Sequence, residues 1–259
     1  MSYWSSGYQG ILGVTDLGLE DQDGTEGEAG SAAEAELFRS FAYTGWSTSA
    51  RKRVFDAAIA VPALLAFLPL MGAVAVLIKC TTSGPVLFRQ ERLGLGQKPF
   101  TIYKFRTMVP ASRCSGPTVT RHGDCRMTGI GRVLRKLKLD EIPQLFNVIR
   151  GDMSLVGPRP KLAQHEHMYL FCRPGITGAA TLVFAREEEI LATVPEEHVE
   201  TYAVHVLNPI KAKLDLDYAH SATLRSDVRL LLDTAFRLGS RSRVKHLPEI
   251  SEVSFRSNS

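Results

Sequence analysis

The sequence predicts an α/β fold that is mainly helical, combining a re-entrant membrane helix, interfacial amphipathic helices and a small β element. Three observations carry this. Ala57 to Ile78 runs about 22 residues without a charge. Apolar residues recur at helical spacing through 130–149, with basic residues between them. Two short extended stretches, 85–90 and 99–106, flank Gly94-Leu95-Gly96. At 259 residues the chain can bury a sizeable core.

Residues 1–50 read as a disordered acidic leader: Gly, Ser and Ala, with 16–36 rich in acids and free of bases. The net charge of +4 excludes no partner class, but the later basic run (Arg121, Arg126, Arg132, Arg135, Lys136, Lys138) favours anionic surfaces. The apolar segment 57–78 follows Arg51-Lys52-Arg53, and ~20 residues suffice to cross a bilayer. Lys79, Arg89 and Arg92 lie beyond it, so both flanks are basic and the positive-inside rule finds no outer side. Pro62 and Pro69 each remove a helical hydrogen bond where unsatisfied carbonyls are costly. A helix that breaks near Pro69 and returns to the same face satisfies both facts; a kinked single span is the alternative.

The stretches 85–90 and 99–106 form a β-hairpin or two short extended pieces, and 110–126 is loop. Ile130, Val133, Leu134 and Leu137 then define a basic amphipathic helix suited to an anionic interface, or an ordinary domain helix with a solvated face. Ile142, Leu145, Phe146 and Ile149 repeat the period and end at Gly151, a C-terminal cap. The last strong helix, about 225–238, places Val228, Leu231, Leu232, Ala235 and Phe236 on one face, and 241–259 is a polar tail. Cys80, Cys114, Cys125 and Cys172 make no CxxC pair and read as free thiols in a reducing compartment.

Asp140 falls where an N-cap belongs, with Glu141 beside it and Pro143 in the first turn. At that end of a helix the dipole stabilises an ionised carboxylate and receives a phosphate. An ionised carboxylate can attack phosphorus, and a neighbouring one can hold Mg2+ together with substrate phosphates. The pair also matches an ordinary helix start. Arg159, stiffened between Pro158 and Pro160, offers a planar fork that fits phosphate oxygens. Lys104, Arg106 and Arg135 could add positive charge. There is no Gly-Lys-Ser/Thr phosphate loop, no Gly-x-Ser-x-Gly elbow and no histidine set at metal spacing; His165 and His167 are two apart. The basic run lacks the aromatic platform and the module of a nucleic-acid binder.

In order, Lys52-Arg53-x-x-Asp56, the apolar segment with Pro69, Ser83-Gly-Pro-Val86, Phe88-Arg-Gln-Glu-Arg92, Lys104-Phe-Arg-Thr-Met108, Leu139-Asp-Glu-Ile-Pro-Gln-Leu145, Gly151 to Pro160 and Arg173-Pro-Gly-Ile-Thr-Gly178 resemble the bacterial sugar transferases. These are monotopic polyprenyl-phosphate phosphoglycosyl transferases, and the likeness runs from about 51 to 240. It implies transfer of a sugar 1-phosphate from a UDP-sugar, UDP-galactose or UDP-glucose by preference, to undecaprenyl phosphate with release of UMP. This would be the first membrane step of exopolysaccharide or glycan assembly.

The resemblance further implies Asp140 as covalent nucleophile, Glu141 as the Mg2+ residue, and Arg159, Arg135, Lys104 and Arg106 as phosphate or substrate contacts. It implies a helix broken at Pro69 in the lipid of the bacterial inner membrane, with catalysis on the cytoplasmic face. The chain departs from the family in carrying Leu68 where a serine often precedes the break proline. The alternative class is a non-catalytic membrane scaffold that kept the fold; the intact Asp140, Glu141 and Arg159 argue against it. Neither the sequence nor the resemblance sets an oligomeric state.

Overall fold

A computed structural model of the chain describes residues 45–109, 124–162, 172–185, 187–195 and 198–237. The expected leader up to residue 44, the tail at 241–259, and Cys114, His165 and His167 lie outside them. Trp46 is already packed against the core and donates from Nε1 to Asp227 Oδ2 at 2.8 Å, so the folded body begins before Arg51.

Ser49 opens the first helix, α1 (Ala50–Thr81), by accepting the Lys52 N–H at 3.1 Å. The helix continues through Pro62 and Pro69 as one element of 32 residues. Among the described residues it is the one helix long and apolar enough to cross a membrane. Its first part is tied to the rest of the body by charge. Lys52 Nζ meets Asp227 Oδ2 at 2.5 Å, Arg53 donates to the carbonyls of Val148 and Ile149, and Asp56 accepts the Leu155 N–H at 3.2 Å. Ala60, Ala63 and Leu64 join the cluster of Leu145, Val148 and Leu155, whereas Val74 and Ile78 join that of Phe105 and Leu134. Between these contacts Leu65, Phe67, Leu68 and Leu70 are exposed.

The expected hairpin forms from β1 (Leu87–Leu93) and β2 (Pro99–Phe105), antiparallel, with Leu87 opposite Phe105 and Leu93 opposite Pro99. Helix α2 (Gly129–Lys136) is capped by Thr128, whose hydroxyl accepts the Gly131 N–H. Gly131 is required there: a Cβ would fall 2.1 Å from the Thr107 carbonyl oxygen. Leu134 is buried, but Val133 and Leu137, expected on the same apolar face, are exposed.

A 3₁₀ segment, Leu139–Gln144, follows and leads into α3 (Leu145–Arg150). Gly151 closes α3 at φ 94°, as its expected cap role requires. Fully buried Asn147 locks α3 to the hairpin: its amide donates to Thr101 O at 2.7 Å and accepts the Tyr103 N–H at 3.2 Å.

A second, parallel pair joins β3 (Ser154–Val156) to β4 (Gly175–Thr177), an element that periodicity had not revealed. Here the backbones nearly touch, since a Cβ on Gly175 would sit 2.1 Å from the Gly157 nitrogen. This contact fixes the loop that presents Arg159.

Helices α4 (Ala179–Val183), α5 (Glu187–Ala192) and α6 (Val199–Tyr202) come next. A π segment, Ala203–Leu207, then leads into α7 (Asn208–Ser221). They share a separate core of Phe184, Leu191, Val199, Tyr202 and Leu207.

Helix α8 (Leu224–Arg237) corrects an expectation. Its inward positions are Asp227, Leu230, Leu231 and Thr234, while Leu224, Val228, Leu232 and Phe236 are exposed. The cause is Asp227, fully buried because Lys52, Trp46 and Tyr218 all donate to it. The cysteines also depart from expectation: Cys80 and Cys172 are free, but Cys125 is disulfide-bonded.

Candidate active site

Three segments converge on the carboxylate pair: β2, the 3₁₀ segment and the loop after β3. Pro143 and the left-handed backbone of Lys138 (φ 55°) produce the tight turn in place of a regular helix start. Lys138, not Asp140, therefore occupies the position before the turn. Asp140 is the second residue inside it, which corrects the expected N-cap. It is 6 % exposed, and its Oδ1 is buried without a hydrogen-bond partner.

The two carboxyl groups are neighbours in sequence and opposite in environment. Glu141 is 9 % exposed, and its Oε1 receives Lys104 Nζ at 2.7 Å and Arg159 Nη2 at 3.2 Å. Burial alone would raise its pKa, but Lys104, Arg159 and Lys138 hold it well below the usual carboxylate range. Asp140 is shifted the other way. Burial raises its pKa first and the Glu141 charge second, while Lys104, Lys138 and Arg135 pull only partly against them. The pair thus holds one secured anion and one poorly solvated carboxyl with an unpaired buried oxygen.

Lys104 lies on β2 between buried Ile102 and buried Phe105, and burial lowers its pKa against the pull of Glu141. Arg159 is half exposed, so its fork reaches both Glu141 and the outside. Arg135 stands behind the pair with Nε on Thr107 Oγ1 at 3.2 Å. Arg106 is not brought to it: its Nη2 donates to the Thr82 carbonyl at 2.9 Å and to Thr82 Oγ1 at 2.6 Å, finishing the end of α1. Pro69 lies inside α1, within the exposed apolar stretch and apart from the carboxylates.

Sequence reasoning missed Lys138 and Arg92. Arg92 Nη1 reaches the Pro160 carbonyl at 3.3 Å, and burial followed by the charge of Arg159 lowers its pKa to about 10. Arg92 ends the Phe88–Arg92 motif and Lys138 ends the basic run, but nothing in their spacing points to Asp140 or Arg159.

Among the described residues no group of three His, Cys, Asp or Glu side chains could hold a metal by itself. Two adjacent carboxylates, one with an unpaired buried oxygen, do fit a hard cation that takes its other ligands from substrate phosphates and water.

The bacterial sugar transferase description matches residues 47–241. The chain belongs to the bacterial sugar transferase family. The chain is 40% identical over 196 residues to the UDP-glucose:undecaprenyl-phosphate glucose-1-phosphate transferase of Caulobacter vibrioides, covering 71% of this chain and 68% of that one. It is 47% identical over 142 residues to the UDP-N-acetylgalactosamine-undecaprenyl-phosphate N-acetylgalactosaminephosphotransferase of Aeromonas hydrophila, covering 51% of this chain and 34% of that one. A glucose-1-phosphate transferase of Xanthomonas campestris pv. campestris is 39% identical over 201 residues, covering 72% of this chain and 38% of the relative. The chain thus spans about a third of the Aeromonas relative and two-fifths of the Xanthomonas one.

Proposed function

We propose that this chain transfers a sugar 1-phosphate from a UDP-sugar to undecaprenyl phosphate through a covalent intermediate on Asp140. The observation that carries the reading is the divided carboxylate pair: Asp140 with an unpaired buried Oδ1, beside Glu141 paired to Lys104 and Arg159. A carboxylate starved of hydrogen bonds gains most by forming a new bond. Asp140 Oδ1 attacks the phosphorus that carries the sugar; the bond from that phosphorus to the bridging oxygen breaks, and UMP leaves with the oxygen and its electron pair. An oxygen of undecaprenyl phosphate then attacks the same phosphorus, and the acyl-phosphate bond returns its electrons to Asp140. No proton is consumed.

Half-exposed Arg159 binds the entering phosphates, and Lys104 fixes Glu141. Arg135 and Lys138 supply positive charge behind the pair. Mg2+, held by Glu141 together with the substrate phosphates, would neutralise phosphate charge when bound. UDP-glucose and UDP-N-acetylgalactosamine, the donors in the names of the relatives, head the candidates, with UDP-galactose next.

The membrane reading has its own support. A straight helix would separate residues 60 and 78 by ~27 Å. Yet Ala60 shares a cluster with Ile142 and Ile102, while Ile78 shares one with Leu139 and Phe105, each partner only three residues away in sequence. A bend near Pro69 brings both limbs back to one body on the cytoplasmic face of the inner membrane. Exposed Val133 and Leu137 alongside Arg132 and Lys136 suit α2 to the same interface.

The test is nucleotide release by the full chain in lipid nanodiscs with undecaprenyl phosphate, Mg2+ and a panel of UDP-sugars. UMP appearing with one sugar and lost in Asp140→Asn is the expected result. Release of UDP, or activity in Asp140→Asn, overturns the mechanism.

A further inference from the structure

Two buried side-chain atoms in the 3₁₀ segment lack a hydrogen-bond partner: Asp140 Oδ1, and Nε2 of Gln144. The second belongs to a residue only 2 % exposed, lodged between buried Pro143 and buried Leu145, where an apolar side chain would ordinarily sit. Buried donors are nearly always paired, and each exception asks for a cause. The turn itself supplies the placement. A 3₁₀ helix eclipses positions i and i+3, so Gln144 shares a face with Glu141, roughly 6 Å along the axis. Glu141 is where Lys104 and Arg159 converge. An amide donor in that row complements an anion and cannot neutralise the carboxylates.

We propose that Gln144 is a substrate-contacting residue of this site, donating from its side-chain amide to a non-bridging oxygen of the phosphoryl group that Asp140 receives. This rests on the function proposed above and adds a neutral donor to the cationic ones. The amide stays unpaired in the free protein and gains its partner on substrate binding, with the hydrogen bond tightening as negative charge shifts onto the phosphoryl oxygens.

The experiment uses the full chain in nanodiscs, as wild type, Gln144→Leu, Gln144→Met and Gln144→Glu. It reads the single-turnover burst of UMP from UDP-sugar without lipid acceptor, and the melting temperature without ligand. Loss of a fixed donor to developing negative charge costs ~10²-fold in rate, and the Leu and Met variants are expected to lose about that much. Neither should melt below wild type, because both remove an unsatisfied buried donor. Gln144→Glu, which sets an anion against the phosphoryl group, is expected to be slower still. A Leu burst within a few-fold of wild type overturns the assignment. So do Leu and Met variants that both melt well below wild type, since the amide would then be a structural one. Absence of any burst from wild type with every sugar sinks the underlying function itself, which separates the two failures.

Discussion

Replacing Asp140 by asparagine should abolish turnover and at the same time stabilise the fold near neutral pH. Asp140 is buried, its Oδ1 is unpaired, and its pKa is raised by burial and then by the charge of Glu141. A carboxyl whose folded pKa is raised binds its proton more tightly when folded. Its contribution to stability is therefore complete below the unfolded pKa and is lost as pH rises through the folded one. Above that window the wild type holds an under-solvated anion, and the asparagine variant does not. An unsatisfied buried polar group costs about 1–3 kcal/mol. Asparagine keeps an unpaired oxygen and forfeits the attraction of Lys104, Lys138 and Arg135, so the gain belongs at the lower end, about 1 kcal/mol. For a body of this size that corresponds to ~2–4 °C in melting temperature. The assay is thermal unfolding of both proteins in nanodiscs across pH, with UMP release in parallel. Glu141 is shifted downward and gives stability that is lost toward acid, but both proteins carry it and the comparison largely removes it. The asparagine advantage should shrink as pH falls toward the ordinary carboxylate range near ~4. A variant that melts below wild type at neutral pH would refute the reasoning, because the three cations would then outweigh burial and Glu141.

Lys104→Met removes the nearest cation from Glu141 and a lowering charge from Asp140, so the acid limb of the pH–rate profile should move to higher pH, with a rate loss of ~10²-fold; a limb that moves down contradicts the assignment. Asp227→Ala strands the buried Lys52 ammonium and should cost ~3–5 kcal/mol in denaturant unfolding, whereas Lys52→Met with Asp227→Leu should recover most of it. Equal stabilities for the single and double variants would show that the pair is not coupled. If α1 is a hairpin bent near Pro69, a cysteine replacing Arg51 and native Cys80, which is free and exposed, should react with an impermeant maleimide from the same side of sealed vesicles; labelling from opposite sides would establish a span.

The hairpin was legible because its two extended stretches and glycine turn are local, and the candidate site because Asp140 and Glu141 are adjacent and Arg159 is framed by prolines. The parallel pair of β3 and β4 was not, since three-residue strands carry no period. Nor was the inward face of α8. Its centre is a charged residue, buried because Lys52 and Trp46, 175 and 181 positions away, donate to it together with Tyr218, and contacts across such separations leave no trace in a helical repeat. The same limit governs the chemistry. Read as a helix start, the sequence makes Asp140 the stabilised anion, and the packed site gives that part to Glu141 instead. Lys104, 37 residues before Glu141, and Arg159, 18 after it, both choose Glu141 and leave Asp140 Oδ1 unpaired. Arg106, two residues beyond Lys104, turns instead to Thr82, although its own sequence context would suit either role. Which carboxylate becomes the secured anion and which the unpaired one is therefore a property of the packed strand, turn and loop.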